Sequence, residues 1–198
     1  MMTREEAYKF LTDNVRNENL LKHHLAAEAV MKALAENFNS KKTKPEEIVD
    51  KNEWGIVGLL HDADYEQTRD NPQKHGIVLA EKLAGKLDPK LVRAILTHNA
   101  QYTKVEPESP LEWSLYCSDE LTGMIVAAAL VHPDKKLTSL TTDFILNKFN
   151  EKSFAKGANR DQIKMCEEKL GINLTDFISL ILKAMQEISQ QLEIIKSS

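Results

Sequence analysis

The chain has 198 residues, of which 42% are hydrophobic and 28% charged, and it contains seven glycines, six prolines and two cysteines. This composition excludes a disulfide scaffold, a low-complexity filament and a disordered chain, and the length predicts a single domain over residues 1–198. A formal net charge of −4 does not favour nucleic acid as a partner.

Helix-start signals recur along the chain, whereas sustained strand alternation and hairpin-turn dipeptides are missing from the sequence. The start signals are capping boxes at Thr3 and Ser109, cap-then-proline pairs at Asn71-Pro72 and Asp88-Pro89, and a cap at Asn159. They predict an all-α fold with helices over 3–13, 18–38, 46–60, 72–86, 89–98, 110–131, 138–149, 160–169 and 174–195.

The last predicted helix carries one apolar stripe, from Leu174 to Ile195. We expect this stripe to pack on the chain's own core, with a homodimer seam as the alternative. The charged N-terminal segment and the lack of about 18 continuous apolar residues predict neither a secretory signal nor a membrane span. A cytoplasmic protein is therefore expected, with Cys117 and Cys166 as reduced, buried thiols.

Histidines and carboxylates interrupt several of the apolar helices. His61-Asp62 follows the apolar run 54–60, and His23 and Asp119 lie within other apolar stretches. A carboxylate is costly in such a helix unless it is paired or bound to a metal. Two imidazoles and two carboxylates form a mixed nitrogen and oxygen shell that suits Mn, Fe, Co, Ni or Zn. His24, beside His23, is the alternative ligand, and a single buried histidine is also compatible with a purely structural role.

With this pattern the sequence resembles the HD-domain metal-dependent phosphohydrolases, whose His, His-Asp and Asp motif matches His23, His61, Asp62 and Asp119. The stretches GLLHDADYEQTRDNPQKHG, ILTHN, SDELTGMIVAAALVHPDKK and KSFAKGANR are similar to small bacterial HD/HDIG-type hydrolases. The resemblance implies an HD helical core over about 18–131, with the helices of 138–195 packed on it. It also implies hydrolysis of a phosphoester by a water activated by one or two divalent ions, Mg among the candidates.

Two further histidines, His75 and His98, lie between the His-Asp pair and Asp119. In members of this family that hold more than one metal, histidines in that interval bind the second ion. The resemblance therefore implies that His75 and His98 bind a second ion bridged by Asp62, and the alternative is that they hydrogen-bond a substrate phosphate.

Other polar residues near the motif are candidates for substrate contact. Asp64, with Glu66 as a weaker candidate, is predicted to orient the attacking water or to protonate the leaving oxygen as a catalytic group beside Asp62. The candidates for binding the phosphate or the rest of the substrate are Arg69, Lys74, Asn99 and Arg160, each of which is equally compatible with a solvated or structural role.

The sequence therefore predicts a metal-dependent phosphohydrolase acting on a small phosphorylated metabolite or nucleotide. The alternative is a non-catalytic module of the same fold that binds a nucleotide or a metal for regulation. Retention of both carboxylates, Asp62 and Asp119, favours the enzyme, because such groups are costly to bury without a cation.

Overall fold

Capping side chains set most of the helix boundaries. In a computed structural model, which describes residues 2–192, the chain is helical and forms no strand in that range. Thr3 and Ser109 each form a complete capping box, and Asp88 and Asn159 accept hydrogen bonds from the first-turn amides of their helices. The all-α prediction is confirmed.

The α-helices are α1 (Arg4–Asn14), α2 (Glu18–Ser40), α3 (Lys51–Leu60), α4 (Tyr65–Thr68), α5 (Ile77–Leu83), α6 (Pro89–Thr97), α7 (Ala100–Thr103), α8 (Pro110–Val131), α9 (Thr142–Asn150), α10 (Arg160–Leu170) and α11 (Leu174–Glu187). Short 3-10 turns occupy Pro45–Glu47, Pro72–Lys74 and Leu137–Ser139.

Several predicted boundaries were wrong. The helices predicted over 46–60 and 138–149 begin later, at Lys51 and Thr142, after a 3-10 turn in each case. The helix predicted over 72–86 is divided, because Gly76 adopts a φ of 83° between a 3-10 turn and α5. The helix predicted over 174–195 ends at Glu187, and residues 193–195 of that prediction lie outside the described part of the chain.

Helices α2 and α3 pack most closely, and this contact places His23 beside His61. A Cβ atom added at Gly58 of α3 would lie 2.4 Å from the backbone oxygen of Ala27 in α2. Only glycine permits this approach, because the obstructing atoms belong to the backbone. His61, one turn beyond Gly58, is thereby brought against the α2 segment that contains His23.

The remaining long helices close the core around this pair. Helix α8 packs on α2 and α10, and α11 packs on α2. The apolar stripe of α11 is buried within the chain, at Phe177, Ile178, Ile181, Leu182 and Met185. Those five residues therefore contribute to the chain's own core, as expected, rather than to a dimer seam.

Helix α8 is long and apolar enough to cross a membrane by length and composition alone, but more than half of that stretch is buried inside the fold. A core helix of a soluble protein passes the same test, so the property is weak evidence for a membrane span. Cys117 in α8 and Cys166 in α10 are both buried and free, and burial raises the pKa of both thiols. Both cysteines are therefore structural.

Candidate metal centre

Four of the predicted ligand residues converge at one point, although they come from three separate segments of the chain: α2, the His61-Asp62 pair after α3, and α8. The Nε2 atoms of His23 and His61 lie 3.1 Å apart, and each lies 3.2 Å from Oδ1 of Asp119. Oδ2 of Asp62 lies 3.6 Å from Nε2 of His23 and 3.7 Å from Nε2 of His61. We call these four residues site 1.

The second pair of histidines meets the other oxygen of Asp62. Oδ1 of Asp62 lies 3.0 Å from Nε2 of His75 and 3.1 Å from Nε2 of His98, and these two nitrogens lie 2.9 Å apart. We call Asp62, His75 and His98 site 2. Since Asp62 directs one oxygen to each site, the two sites share a single bridging carboxylate.

The spacing of these atoms fits a metal shell. Bonds of about 2.1 Å place neighbouring ligand atoms about 3.0 Å apart in octahedral geometry and about 3.4 Å apart in tetrahedral geometry. The histidine nitrogens of site 1 lie 3.1 Å from each other and 3.2–3.7 Å from the carboxylate oxygens, and the distances within site 2 run from 2.9 to 3.1 Å. Both His/Asp groups could therefore hold a metal ion.

In three of the four histidines the Nδ1 atom forms a hydrogen bond directed away from the site, and this bond fixes the direction of the Nε2 lone pair. Nδ1 of His61 donates to the Gly58 carbonyl at 2.8 Å, and Nδ1 of His98 donates to the Ile95 carbonyl. Both histidines lie at the C-terminal caps of their helices, where carbonyls of the last turn can accept side-chain donors; the Ile95 carbonyl also accepts the backbone N–H of His98. With the proton on Nδ1, the neutral ring presents a bare Nε2 to the site, as a metal ligand must.

His75 is held by a carboxylate instead of a carbonyl. Oδ1 of Asp64 accepts from Nδ1 of His75 at 2.9 Å, while Oδ2 accepts the backbone N–H groups of Gly76 and Leu79 at 2.9 and 3.0 Å. Gly76 has a positive φ, which glycine adopts readily, at the point where the chain turns from the 3-10 turn into α5. Asp64 thus orients a ligand and caps the start of α5.

This geometry corrects the predicted catalytic role of Asp64. Its side chain is completely buried, and both oxygens are occupied by the hydrogen bonds to His75, Gly76 and Leu79. It therefore has no exposed oxygen with which to contact a water or a leaving group. Glu66 is also structural, since it accepts the backbone N–H groups of Arg16 and Asn17 at the junction of α1 and α2.

Opposing charges keep the cluster ionised. Burial alone would raise the pKa of Asp62 and Asp119, but the neighbouring histidines, His61 foremost, lower both. Burial alone would lower the pKa of His61 and His75, but the carboxylates Asp62 and Asp119 raise that of His61 to about 9, and Asp62 and Asp64 raise that of His75 to about 10. In the metal-free protein both rings are therefore protonated at neutral pH.

Of the two adjacent histidines on α2, His23 directs its ring into site 1. His24 is fully buried beside His61, with ring centroids 5.5 Å apart, and neither of its ring nitrogens has a hydrogen bond of good geometry to a described residue. Burial lowers the pKa of His24 well below its ordinary value, so the ring is neutral. His24 is a core residue behind the ligands.

A cleft of about 970 Å³ leads to site 1, and His23, Asp62 and Asp119 form part of its wall. Of the residues predicted to bind substrate, only Arg69 lines this cleft, at an exposed position where its Nε lies 3.7 Å from a carboxylate oxygen of Asp70. Lys74 is exposed and outside the cleft.

The other two predicted substrate ligands have structural partners. The side-chain amide of Asn99 donates to the carbonyls of Pro72 and His75 and so ties the segment that carries His75 to the end of α6. The guanidinium of Arg160 donates to five backbone carbonyls, those of Phe149, Glu151, Phe154, Ala155 and Ala158. Arg160 therefore shapes the segment over 151–158 rather than presenting a free fork to phosphate.

Sequence reasoning missed several residues that line the cleft, among them Tyr65, Glu120 and Gly123. Tyr65 is 47% exposed, and its ring packs edge-on against His75 with centroids 5.7 Å apart. Burial and the nearby Asp119 and Asp62 raise the pKa of Glu120. A glycine four residues after Asp119 in a long helix was the signal available in the sequence.

No family model, no curated protein and no solved structure matches the chain. The assignment of the site therefore rests on its own geometry. The arrangement is compatible with an HD-type fold, and its His/Asp clusters could bind one or two metal ions.

Proposed function

We propose that this chain is an HD-type metal-dependent phosphohydrolase that uses two divalent ions. The observation that carries the proposal is the position of Asp62, whose two oxygens each face a separate group of imidazole nitrogens. A carboxylate shared in this way is typical of centres that hold two ions about 3.5–4 Å apart. The cleft that reaches site 1 gives a substrate access to the same centre.

His23, His61, Asp62 and Asp119 would hold one ion, and Asp62, His75 and His98 the other. Ions bound there would lower the pKa of a coordinated water towards about 7 and neutralise charge on a phosphate. The donors are nitrogen and oxygen atoms, with no thiolate among them, which favours Mn, Fe, Co, Ni or Zn. Mg is the weaker candidate, since it prefers oxygen ligands.

The protein's own contribution is orientation. The carbonyls of Gly58 and Ile95 and the carboxylate of Asp64 hold three of the rings with Nε2 directed inwards. Arg69, at the edge of the cleft, is placed to attract an anionic substrate and to contact a phosphate oxygen.

The experiment that tests this function starts from protein stripped with a chelator and reloaded separately with Mn, Fe, Co, Ni, Zn or Mg. Metal content is measured by elemental analysis, and turnover with p-nitrophenyl phosphate and bis-p-nitrophenyl phosphate. We expect metal-stimulated hydrolysis that Asp62→Asn reduces at least a hundredfold, together with a loss of bound metal. Asp143→Asn, at an exposed position on α9, is the matched control and should retain both properties.

Two results would contradict the proposal. Full metal loading with no hydrolysis of any phosphomonoester or diester would favour the regulatory module over the enzyme. Hydrolysis that survives Asp62→Asn would place the reaction at another site.

A further inference from the structure

Gly123 occupies a position in α8 where neither the backbone nor the packing requires a glycine. The helix runs from Pro110 to Val131, so this residue lies in its interior, where glycine is the least favourable residue after proline. Its φ is not positive, and a Cβ atom added there would meet nothing within 4 Å. Gly58 differs in this respect, because the backbone of Ala27 leaves no room for a side chain there.

The empty space beside Gly123 belongs to the cleft and adjoins site 1. Gly123 lies one turn after Asp119, and residues four apart share one face of a helix. Because helical side chains lean towards the N-terminus, a side chain at position 123 would extend over the turn that carries Asp119. The glycine therefore leaves uncovered the cleft wall next to a metal ligand.

A second part of the cleft wall also consists of small residues. Ala155, Gly157 and Ala158 line it, and a Cβ atom at Gly157 would again meet nothing within 4 Å. The hydrogen bonds from Arg160 to the carbonyls of this segment fix its path. Small residues thus leave room at both of these walls. This suits a substrate whose non-phosphate part, which we call its body, is broad.

Charge on the cleft wall is mainly negative once the metal ligands are set aside. Glu120 accepts the backbone N–H of Asn159 at 3.1 Å through one oxygen, and no described residue donates to its other oxygen. Arg69 is the one lysine or arginine among the described residues that line the cleft. A second phosphate group on the substrate would have only Arg69 as a cationic partner among these residues, whereas a hydroxyl or ammonium group could donate to Glu120.

We propose that, among phosphomonoesters, the cleft selects those with a single phosphate and a broad, neutral or cationic body. Gly123 admits this body beside Asp119, and Glu120 accepts a hydrogen bond from it. This selection rests on the proposed phosphohydrolase function, with the phosphate directed to sites 1 and 2.

The test compares bodies of similar size and different charge. Metal-loaded protein is assayed for kcat/KM with glucosamine 6-phosphate, glucose 6-phosphate and 6-phosphogluconate, and with methyl phosphate as a substrate without a broad body. Binding of the same compounds is measured separately by calorimetric titration. We expect the glucosamine and glucose esters to exceed 6-phosphogluconate at least fivefold in both measurements.

Two variants test whether Gly123 and Glu120 are responsible for this selection. Gly123→Leu should lower kcat/KM and affinity at least tenfold for the six-carbon esters and less than twofold for methyl phosphate, while raising Tm, since leucine favours a helix more than glycine. Glu120→Gln keeps an acceptor for the Asn159 amide and removes the charge, so it should reduce the preference over 6-phosphogluconate at least threefold. Asn147→Ala, exposed on α9, is the control for a gain in helix propensity and should leave the substrate preference unchanged.

The possible failures are distinguishable. If Gly123→Leu affects methyl phosphate as strongly as the six-carbon esters, or if neither binding nor turnover depends on the body, the selection is refuted while hydrolysis still supports the enzyme. If the esters bind with the expected preference and none is hydrolysed, the enzyme is refuted and the selection by the cleft stands.

Discussion

Replacing Asp64 with asparagine should weaken metal binding at site 2 and leave site 1 intact. In the structure, Oδ2 of Asp64 accepts two backbone N–H groups, and Oδ1 accepts Nδ1–H of His75. In Asp64→Asn the amide oxygen keeps the two backbone bonds, so the amide NH₂ group faces His75. A donor at that position forces the neutral ring to carry its proton on Nε2, the nitrogen that faces site 2.

The expected magnitudes follow from these three hydrogen bonds. A hydrogen bond to a charged group contributes about 1.5–3 kcal/mol, and a bond to a neutral group about 0.5–1.5 kcal/mol. Because Asp64→Asn turns two backbone bonds of the first kind into the second kind, it should lower the free energy of unfolding by about 2 kcal/mol. Loss of an outer partner of a ligating histidine typically weakens metal binding about 10–100-fold, which is about 1.4–2.7 kcal/mol. Site 1 should bind with unchanged affinity.

Equilibrium dialysis against graded Mn²⁺, followed by elemental analysis, measures both affinities in one experiment. Glu66→Gln is the matched control, since Glu66 also accepts backbone N–H groups but touches none of the four ligand histidines. The control should retain both sites. Equal weakening of both sites in Asp64→Asn, or of neither, would refute the orienting role of Asp64.

Three further predictions concern charge and packing. Because the folded-state pKa values of His61 and His75 are raised to about 9 and about 10, their protonation stabilises the metal-free protein fully below the ordinary value of 6.5 and progressively less as pH rises to 10. Thermal denaturation should show this fall in Tm for stripped protein and not for metal-saturated protein. Gly58→Ala should lower the free energy of unfolding by about 1–3 kcal/mol or prevent folding, whereas Gly55→Ala on the same helix meets only a flexible lysine side chain and should cost less than about 1 kcal/mol, as denaturant titration would show. Arg160→Lys should raise the KM for p-nitrophenyl phosphate severalfold and leave the metal content unchanged, because a lysine cannot donate to five carbonyls. An unchanged KM would exclude a role for Arg160 in shaping the cleft.

The part of the site that could be predicted from the sequence is the cluster of His and Asp residues that could bind a metal. His61-Asp62 follows the apolar run 54–60 of α3, and Asp119 lies in the middle of the mainly buried helix α8, so the cost of burial favoured a cation. Helical periodicity likewise gave α2, α6 and α8 nearly to their ends. These features are local, and local patterns are what a single sequence displays.

The supporting residues were not predictable, because their roles depend on contacts across unrelated segments. Asp64 was expected at the reaction centre, but the division of the helix at Gly76 brings His75 and the start of α5 onto it. Arg160 was expected on phosphate, but the segment before α10 presents five carbonyls to it. Neither the positive φ nor the path of that segment leaves a periodic signal.

The two carboxylates at the centre are the reason that it requires positive charge nearby. Asp62 and Asp119 are held ionised by the histidines, so the buried centre needs compensating positive charge in every state. Without metal, protons on His61 and His75 supply it, directed at the same carboxylates. In the proposed function, a metal ion would bind these Nε2 atoms in place of the protons, and the Nδ1 atoms of His61 and His75 are hydrogen-bonded to Gly58 and Asp64. On this proposal, metal loading would exchange protons for metal ions beside the same carboxylates.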